Sequence, residues 1–341
     1  MARQCKRTPG EWQPPKCHKC KWAISHSVSG GHLQLHTKFT SIVRLEKFAA
    51  IDIGSNAIRM LIANVVLGDI NPPKFHKNSM VRVPIRLGED SFTVRDISSK
   101  NLKRMIRAFK AFKQIMKVHG VTQYRAYATS ALREATNTST VLEKIKNKTG
   151  IQIQVIDGRK EAEIISTNSS FDGLNFGNKS FLFVDVGGGS TEFSVFKNGE
   201  RLASKSFKLG TVRLLNDLVS KELWKAVKEW ITKHTGKYEK IAVLGTGGNI
   251  NKLIKLTGTK EGKPLSIVEL GSIYHQLQSL SYEERILKFE LNPDRADVIL
   301  PATEIYLRSM DWCGATRVYV PKMGLADGMI QEMFASLYPS I

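Results

Sequence analysis

Twice along the chain an apolar run of strand length ends in an aspartate, turns through glycine and small polar residues, and resumes as a second apolar run. The first copy is Phe48–Asn64, FAAIDIGSNAIRMLIAN, where Asp52 precedes Gly54-Ser55-Asn56. The second is Phe181–Phe196, FLFVDVGGGSTEFSVF, where Asp185 precedes Gly187-Gly188-Gly189 and the polar tips Ser190, Thr191 and Glu192. Each reads as a β-hairpin. Val81–Leu87, Tyr124–Ala128 and Ile151–Ile156 alternate as strands, with Gly88–Asp96 as a loop. Helical spacing places Leu102, Met105, Ile106, Phe109, Phe112 and Met116 on one face of a helix that Ser98 caps and Gly120 ends. Further helices are predicted over Ser220–Gly236, Leu270–Leu280 and Asn292–Met310 and from Gly324 to near Leu337, with strands at Lys240–Gly245 and Arg317–Val320. The mixture predicts an α/β protein.

Asp52 and Asp185 lie 133 residues apart, and each stands two residues before a glycine. The repetition suggests two similar lobes, each presenting a phosphate loop to one cleft. Glycine turns leave backbone N–H groups bare for phosphate oxygens, and an adjacent carboxylate suits a magnesium ion. Either copy alone is equally a glycine-rich hairpin with an incidental aspartate.

Composition adds a charge argument. The 341 residues suffice for two domains with real cores, and the formal charge is +20. The first 46 residues hold eight Lys/Arg against two Glu, so about +14 remains on the rest. Such a surplus attracts a polyanion, whether nucleic acid, polyphosphate or an acidic surface; no specific nucleic-acid recognition motif accompanies it. The basic face Lys103, Arg104, Arg107, Lys110, Lys113 and Lys117 is either a solvated surface or a guide for such a polymer. No apolar run approaches the roughly 20 residues of a membrane helix, and no signal-type apolar segment opens the chain. A soluble protein with no membrane partner is expected. Cys313 is the lone cysteine after residue 45, which fits a reducing cytoplasm. Residues 1–45 read as a disordered basic tail or an extension foreign to the native chain. Cys17-His18-Lys19-Cys20 within them resembles half a zinc knuckle but lacks a second pair.

DIGSN at Asp52–Asn56 and DVGGGSTE at Asp185–Glu192 resemble the exopolyphosphatase/guanosine pentaphosphate phosphohydrolase family. ATSALREATN at Ala128–Asn137, IQVIDGRKEAEII at Ile153–Ile165, LGTVRL at Leu209–Leu214, GTGGN at Gly245–Asn249 and MGLADGMI at Met323–Ile330 follow in that family's order. The resemblance spans roughly residues 46 to 335. It implies a duplicated ribonuclease-H-like (actin-like) fold, with lobes at 46–167 and 168–341 and a last helix that could pack back on the first lobe.

The resemblance also implies roles. Glu161 occupies the place of the catalytic base, the second Glu of Gly-x-Glu-Glu-Ala, and Lys160 replaces the first Glu; this lysine is expected to lower the base's pKa. Arg133 resembles a contact to substrate phosphate. Gly54, Ser55, Asn56, Gly187, Gly188, Gly189, Ser190, Thr191 and Gly247 would bind substrate, and Asp52, Asp185 and Glu192 would hold Mg²⁺ or another divalent cation. Ala326-Asp327 stands where the family often has an Arg–Glu pair. The implied activity is hydrolytic release of orthophosphate from inorganic polyphosphate or from guanosine pentaphosphate, which the motifs do not separate. An actin-like kinase and a non-catalytic polyphosphate or alarmone sensor are the readings from other classes. Dimers are common in the family, so a homodimer is compatible, although no interface signature stands out.

Overall fold

In the computed structural model the described residues are 44–67, 73–166, 180–260, 262–321 and 323–339. The expectations for residues 1–45 (save its last two) lie outside them.

The first lobe holds β1 (Arg44–Ile53), β2 (Ala57–Leu67), β3 (Lys74–Pro84), α1 (Leu87–Thr93), α2 (Ser99–His119), β4 (Gln123–Ala128), α3 (Ser130–Glu134), α4 (Thr138–Thr149), β5 (Gln154–Val155) and α5 (Gly158–Ser166). The second holds β6 (Ser180–Val186), β7 (Thr191–Lys197), β8 (Glu200–Phe207), α6 (Thr211–Leu215), α7 (Lys221–Thr235), β9 (Ile241–Thr246), α8 (Gly248–Leu256) and β10 (Leu265–Ser266). It continues with α9 (Ile267–Gln278), α10 (Tyr282–Phe289), α11 (Pro293–Ala296), α12 (Ile299–Cys313), β11 (Arg317–Tyr319) and α13 (Leu325–Leu337).

The duplication is visible in the sheets. The first runs β3-β2-β1-β4-β5 and the second β8-β7-β6-β9-β11, with β10 added at its edge. In each, the first three strands form an antiparallel meander and the next two lie parallel to the first strand. This is the duplicated ribonuclease-H-like fold. Brackets of the same topology place β1 and β6, with Asp52 and Asp185 near their carboxyl ends, at the middle of their sheets, where ligands of α/β sheets gather.

Helix α2 forms as its sequence dictates. The Ser98 hydroxyl accepts from Asn101 N–H at the start, and Gly120 closes the end at φ 67°, where a side chain would be strained. Met105, Phe109, Phe112 and Met116 are buried against the first sheet; each such side chain stabilises by roughly 1.5–3 kcal/mol. A third apolar cluster joins the lobes: Phe48, Ala50 and Leu61 meet Phe181, Phe183 and Leu244 together with Met329, Ile330 and Phe334 of α13. The last helix therefore packs on β1 and β2 and against α5.

Several elements differ from expectation. Gly88–Asp96 is largely helix α1, not loop, because Gly88 N–H is drawn to Ser55 O (2.8 Å) and the segment packs on the first phosphate loop. Strand β3 begins earlier and stops at Pro84, which cannot extend the ladder. The strand expected at Ile151–Ile156 shrinks to Gln154–Val155 at the sheet edge. β8 and α10 were unread, and Asn292–Met310 divides into α11 and α12.

Candidate active site

The two hairpin turns face each other. A Cβ on Gly188 would lie 2.9 Å from Ser55 Cβ, so only glycine permits this approach. Both turns hold their carbonyls away from the cleft. Ser55 O accepts from Gly88 N–H and Asn56 O from Arg86 N–H (2.8 and 2.9 Å), while Gly187 O and Gly188 O accept from Thr211 and Val212 N–H (3.1 and 2.8 Å). Among the described residues the N–H groups of Ser55, Asn56, Gly188 and Gly189 have no backbone acceptor. Two sets of unspent donors thus converge, as phosphate recognition requires.

Arg213, 8% exposed, fastens the second turn to the first lobe. Its Nε donates to Gly189 O at 2.7 Å, its Nη2 to Glu134 Oε2 at 2.5 Å, and its guanidinium lies 4.0 Å from the Phe92 ring centre. On the other flank Asn56 Nδ2 donates to Asp294 O at 2.9 Å.

Four carboxylates gather beneath the turns. Asp52 pairs with Arg59 at 3.6 Å, and Asp185 accepts from Thr246 Oγ1 at 2.7 Å. Glu192 Oε1 accepts from the hydroxyls of Ser190 and Ser206, both at 2.8 Å. Glu161, in the first turn of α5, is buried, and its Oε2 has no hydrogen-bond partner. Burial, and then the charges of Glu192, Asp185 and Asp52, push Glu161 well above the usual carboxylate range, against the opposing pull of Arg133. Burial, followed by the charge of Asp185, raises Glu192 to about 7. Asp52 and Asp185 are also raised, chiefly by burial.

The space between the turns is a cavity of about 80 Å³ lined by Asp52, Glu161, Asp185, Gly54, Ser55, Asn56, Gly187, Gly188 and Ser190, with Arg59, Arg82, Ser130, Asn249 and Arg295. It shares Asp52, Arg59, Arg82 and Arg295 with an adjoining cavity of about 430 Å³ to which Lys77, Gly247, Lys252, Lys255, Glu290 and Asp327 contribute. Arg295 is lowered to about 10, first by burial and then by Arg82 and Arg59, and remains a cation at neutral pH.

Residues 75–337 match the Ppx/GppA phosphatase family. The chain belongs to that family. This Ppx/GppA member is 28% identical to a bifunctional 3-dehydroquinate synthase/phosphatase of Fusobacterium nucleatum, across 89% of this chain and 50% of that protein. It is 27% identical to exopolyphosphatase 1 of Mycobacterium bovis, across 50% of this chain and 48% of that one. The chain spans about half the length of these relatives. Its fold is like that of an exopolyphosphatase from Cytophaga hutchinsonii, with a TM-score of 0.74 at 22% identity over 85% of this chain and 98% of the other.

Within this Ppx/GppA fold not every residue singled out from the sequence reaches the cleft. Thr191 is fully buried, its hydroxyl donating to Leu209 O at 2.5 Å, so it braces the second turn instead of facing substrate. Gly189 lies under Phe92 and Ser130, with its carbonyl held by Arg213. Gly247 lines the wider cavity; its φ of 107° favours glycine, and a Cβ there would lie 3.1 Å from the Val186 carbonyl oxygen. Arg133 does not line the cleft wall: Nη1 donates to Ile156 O at 2.8 Å and stands 4.0 Å from Glu161 Oε2. Lys160 does not lower the base, because its amine turns to Glu332 (2.7 Å) and Glu163 (3.4 Å). Asp327, where the family often has Glu, pairs with Lys77 at 2.7 Å.

Arg59, Arg82 and Arg295 escaped the sequence reading. Arg59 carried a signal, being the single charge inside an apolar strand. Arg82 is its cross-strand partner on β3, and Arg295 sits in a turn with no periodicity to mark it.

Proposed function

We propose that this protein hydrolyses the terminal phosphoanhydride of inorganic polyphosphate, releasing orthophosphate. The observation that carries this reading is a narrow cavity, walled by two donor turns and carboxylates, adjoining a wider one where Arg59, Lys77, Arg82, Lys252, Lys255 and Arg295 outnumber the acids Asp52, Glu290 and Asp327. A chain end fits the narrow part, and the polyanion behind it meets cations. None of the described residues lining either cavity is aromatic, so a guanine base has no stacking surface there. This favours the inorganic chain over guanosine pentaphosphate, which stays the second substrate to test.

Glu161 has the geometry of a general base. It is buried, one oxygen is unpartnered, and burial with the neighbouring carboxylates raises its proton affinity above that of an ordinary glutamate. Water held by Glu161 attacks the terminal phosphorus; the water proton passes to Glu161 and the P–O bond to the remaining chain breaks. The Ser55, Asn56 and Gly188 amides take the oxygens of the transferring group, where fixed donors matter more than covalent chemistry. Arg133 steadies Glu161 and the Ile156 carbonyl.

The clustered carboxylates fit a divalent cation. Their donors are hard oxygens, and their mutual repulsion is unrelieved beyond Arg59 and Arg133. Among the described residues no three His, Cys, Asp or Glu form a ready-made cage. That accords with Mg²⁺, which binds through one or two carboxylates together with substrate oxygens and water. Asp52 and Asp185 would hold it, with Glu192 in support. Its contribution when bound is neutralisation of charge on the phosphate oxygens.

The test is orthophosphate release, with Mg²⁺, from long polyphosphate, tripolyphosphate, guanosine pentaphosphate and ATP. Fastest release from polyphosphate is expected. Label transfer from ATP to an acceptor would instead identify a kinase, and binding without release a sensor.

A further inference from the structure

Helix α2 carries Lys100, Lys103, Arg107, Lys110 and Lys117, all exposed, at spacings of three, four, three and seven residues. That spacing puts them on one face. The helix holds seven Lys/Arg in 21 residues and no Asp or Glu. Among the described residues these five cations pair with no carboxylate. Elsewhere the same chain neutralises exposed helix charge, with Glu284–Lys288 at 3.2 Å and Glu304–Arg308 at 2.8 Å, each four residues apart. An unrelieved row of like charges weakens a helix. A polyanion laid along that face would relieve the repulsion.

The row has a direction. Near its start Asn101 Nδ2 donates to Asp90 Oδ2 (2.8 Å) on α1, and α1 is joined to the first phosphate turn through Gly88 N–H and Ser55 O (2.8 Å). At its far end His119 O accepts from Lys47 Nζ at 2.9 Å, and Lys47 lies at the other end of β1 from Asp52. The helix covers about 30 Å between these points. Just past its midpoint it borders a cavity of about 710 Å³ lined by Lys110, Lys113, Lys146 and Lys148 with no acidic residue. Lys113 donates to Thr149 O at 2.9 Å, fixing the α2 side of this groove to the end of α4.

We propose that the exposed face of α2 and the lysine groove beside its second half form a second binding site for long linear polyphosphate, outside the cleft. The site grips the distal part of a chain whose end is in the cleft, so affinity depends on chain length. Phosphate-chain recognition is favoured over single-stranded nucleic acid because Phe109 and Phe112 are buried beneath the row and leave no stacking platform on it. The proposal rests on the polyphosphate reading of the cleft, but its test is separable from it.

The variant is K103Q/R107Q/K110Q/K117Q, which exchanges exposed cations for a residue of similar helix propensity. Direct binding of long polyphosphate and of tripolyphosphate is measured across a salt series, alongside phosphate release from each. Long-chain affinity is expected to fall about tenfold, with a salt dependence shallower by roughly three in log–log slope. Tripolyphosphate binding and turnover should stay within about twofold of wild type. Unchanged long-chain binding, or equal loss for both lengths, overturns the proposal. Tighter binding of homopolymeric RNA than of polyphosphate, lost in the variant, overturns it in favour of a nucleic-acid surface. If wild type releases no phosphate from any chain while the variant still loses long-chain binding, the second site stands and the hydrolase reading fails.

Discussion

Arg59 and Glu192 occupy equivalent positions in the two lobes. Each is the register partner of its lobe's first-strand aspartate, Asp52↔Arg59 and Asp185↔Glu192. The duplicated hairpins therefore differ where they meet the cleft, one supplying a cation and the other a carboxylate. Arg59→Gln should remove the ion pair at Asp52 and one wall of both cavities. A charge-assisted contact is worth about 1.5–3 kcal/mol, so KM for polyphosphate should rise roughly tenfold or more, measured by steady-state phosphate release.

Glu192 makes metal-free stability depend on pH. Its carboxyl is raised from 4.5 to about 7, so between those values the native state keeps a proton that the unfolded chain has released. Stability is then highest at the acid end of the window and falls as pH rises through it, by an amount on the order of 3 kcal/mol. Urea titrations in chelator from pH 5 to about 7.5 should show this decline, and Glu192→Gln, which still accepts from Ser190 and Ser206, should make it shallower, the rest coming from the likewise raised Glu161, Asp52 and Asp185.

Arg213→Met keeps most of the side-chain volume and removes the donors to Gly189 O and Glu134. Lys208 at 3.4 Å still serves Glu134, so the loss should be that of charge-assisted hydrogen bonds, about 1.5–3 kcal/mol in urea unfolding. Because the second turn is no longer fastened to the first lobe, KM should rise by more than this mild destabilisation alone would produce at assay temperature.

Gly188→Ala brings a methyl group within 2.9 Å of Ser55 Cβ and 3.2 Å of Val212 Cγ2. The turns must separate. Phosphate release should drop at least tenfold, since misplacement of about 1 Å has that effect, while a folded circular-dichroism spectrum is retained.

Much of this architecture was written in local pattern. The two aspartate–glycine hairpins announced the duplicated lobes because period-two alternation and bare glycine turns are local signals. Ser98 and Gly120 bounded α2 for the same reason. Glu161 was found through family resemblance alone; an acid in a first helical turn is ordinary until burial and three neighbouring carboxylates change it. Thr191 looked like a turn donor, yet the hydroxyl faces inward to Leu209, because strand β7 already begins there and alternation decides the side. Arg82 and Arg295 join the cleft only through tertiary contact between β3 and the α11 turn, to which one-dimensional spacing is blind. Lys160 misled because neighbours in sequence on a helix need not face one another, and Glu332 of α13 claims it.

The most direct test of the account is Glu161→Gln assayed for Mg²⁺-dependent phosphate release from polyphosphate, with binding measured on the same preparation. Turnover is expected to fall by about 10²–10⁴, the usual worth of a general base, with polyphosphate affinity preserved. Turnover near wild type, or a loss explained wholly by failed binding, would contradict the assignment of Glu161 as the base.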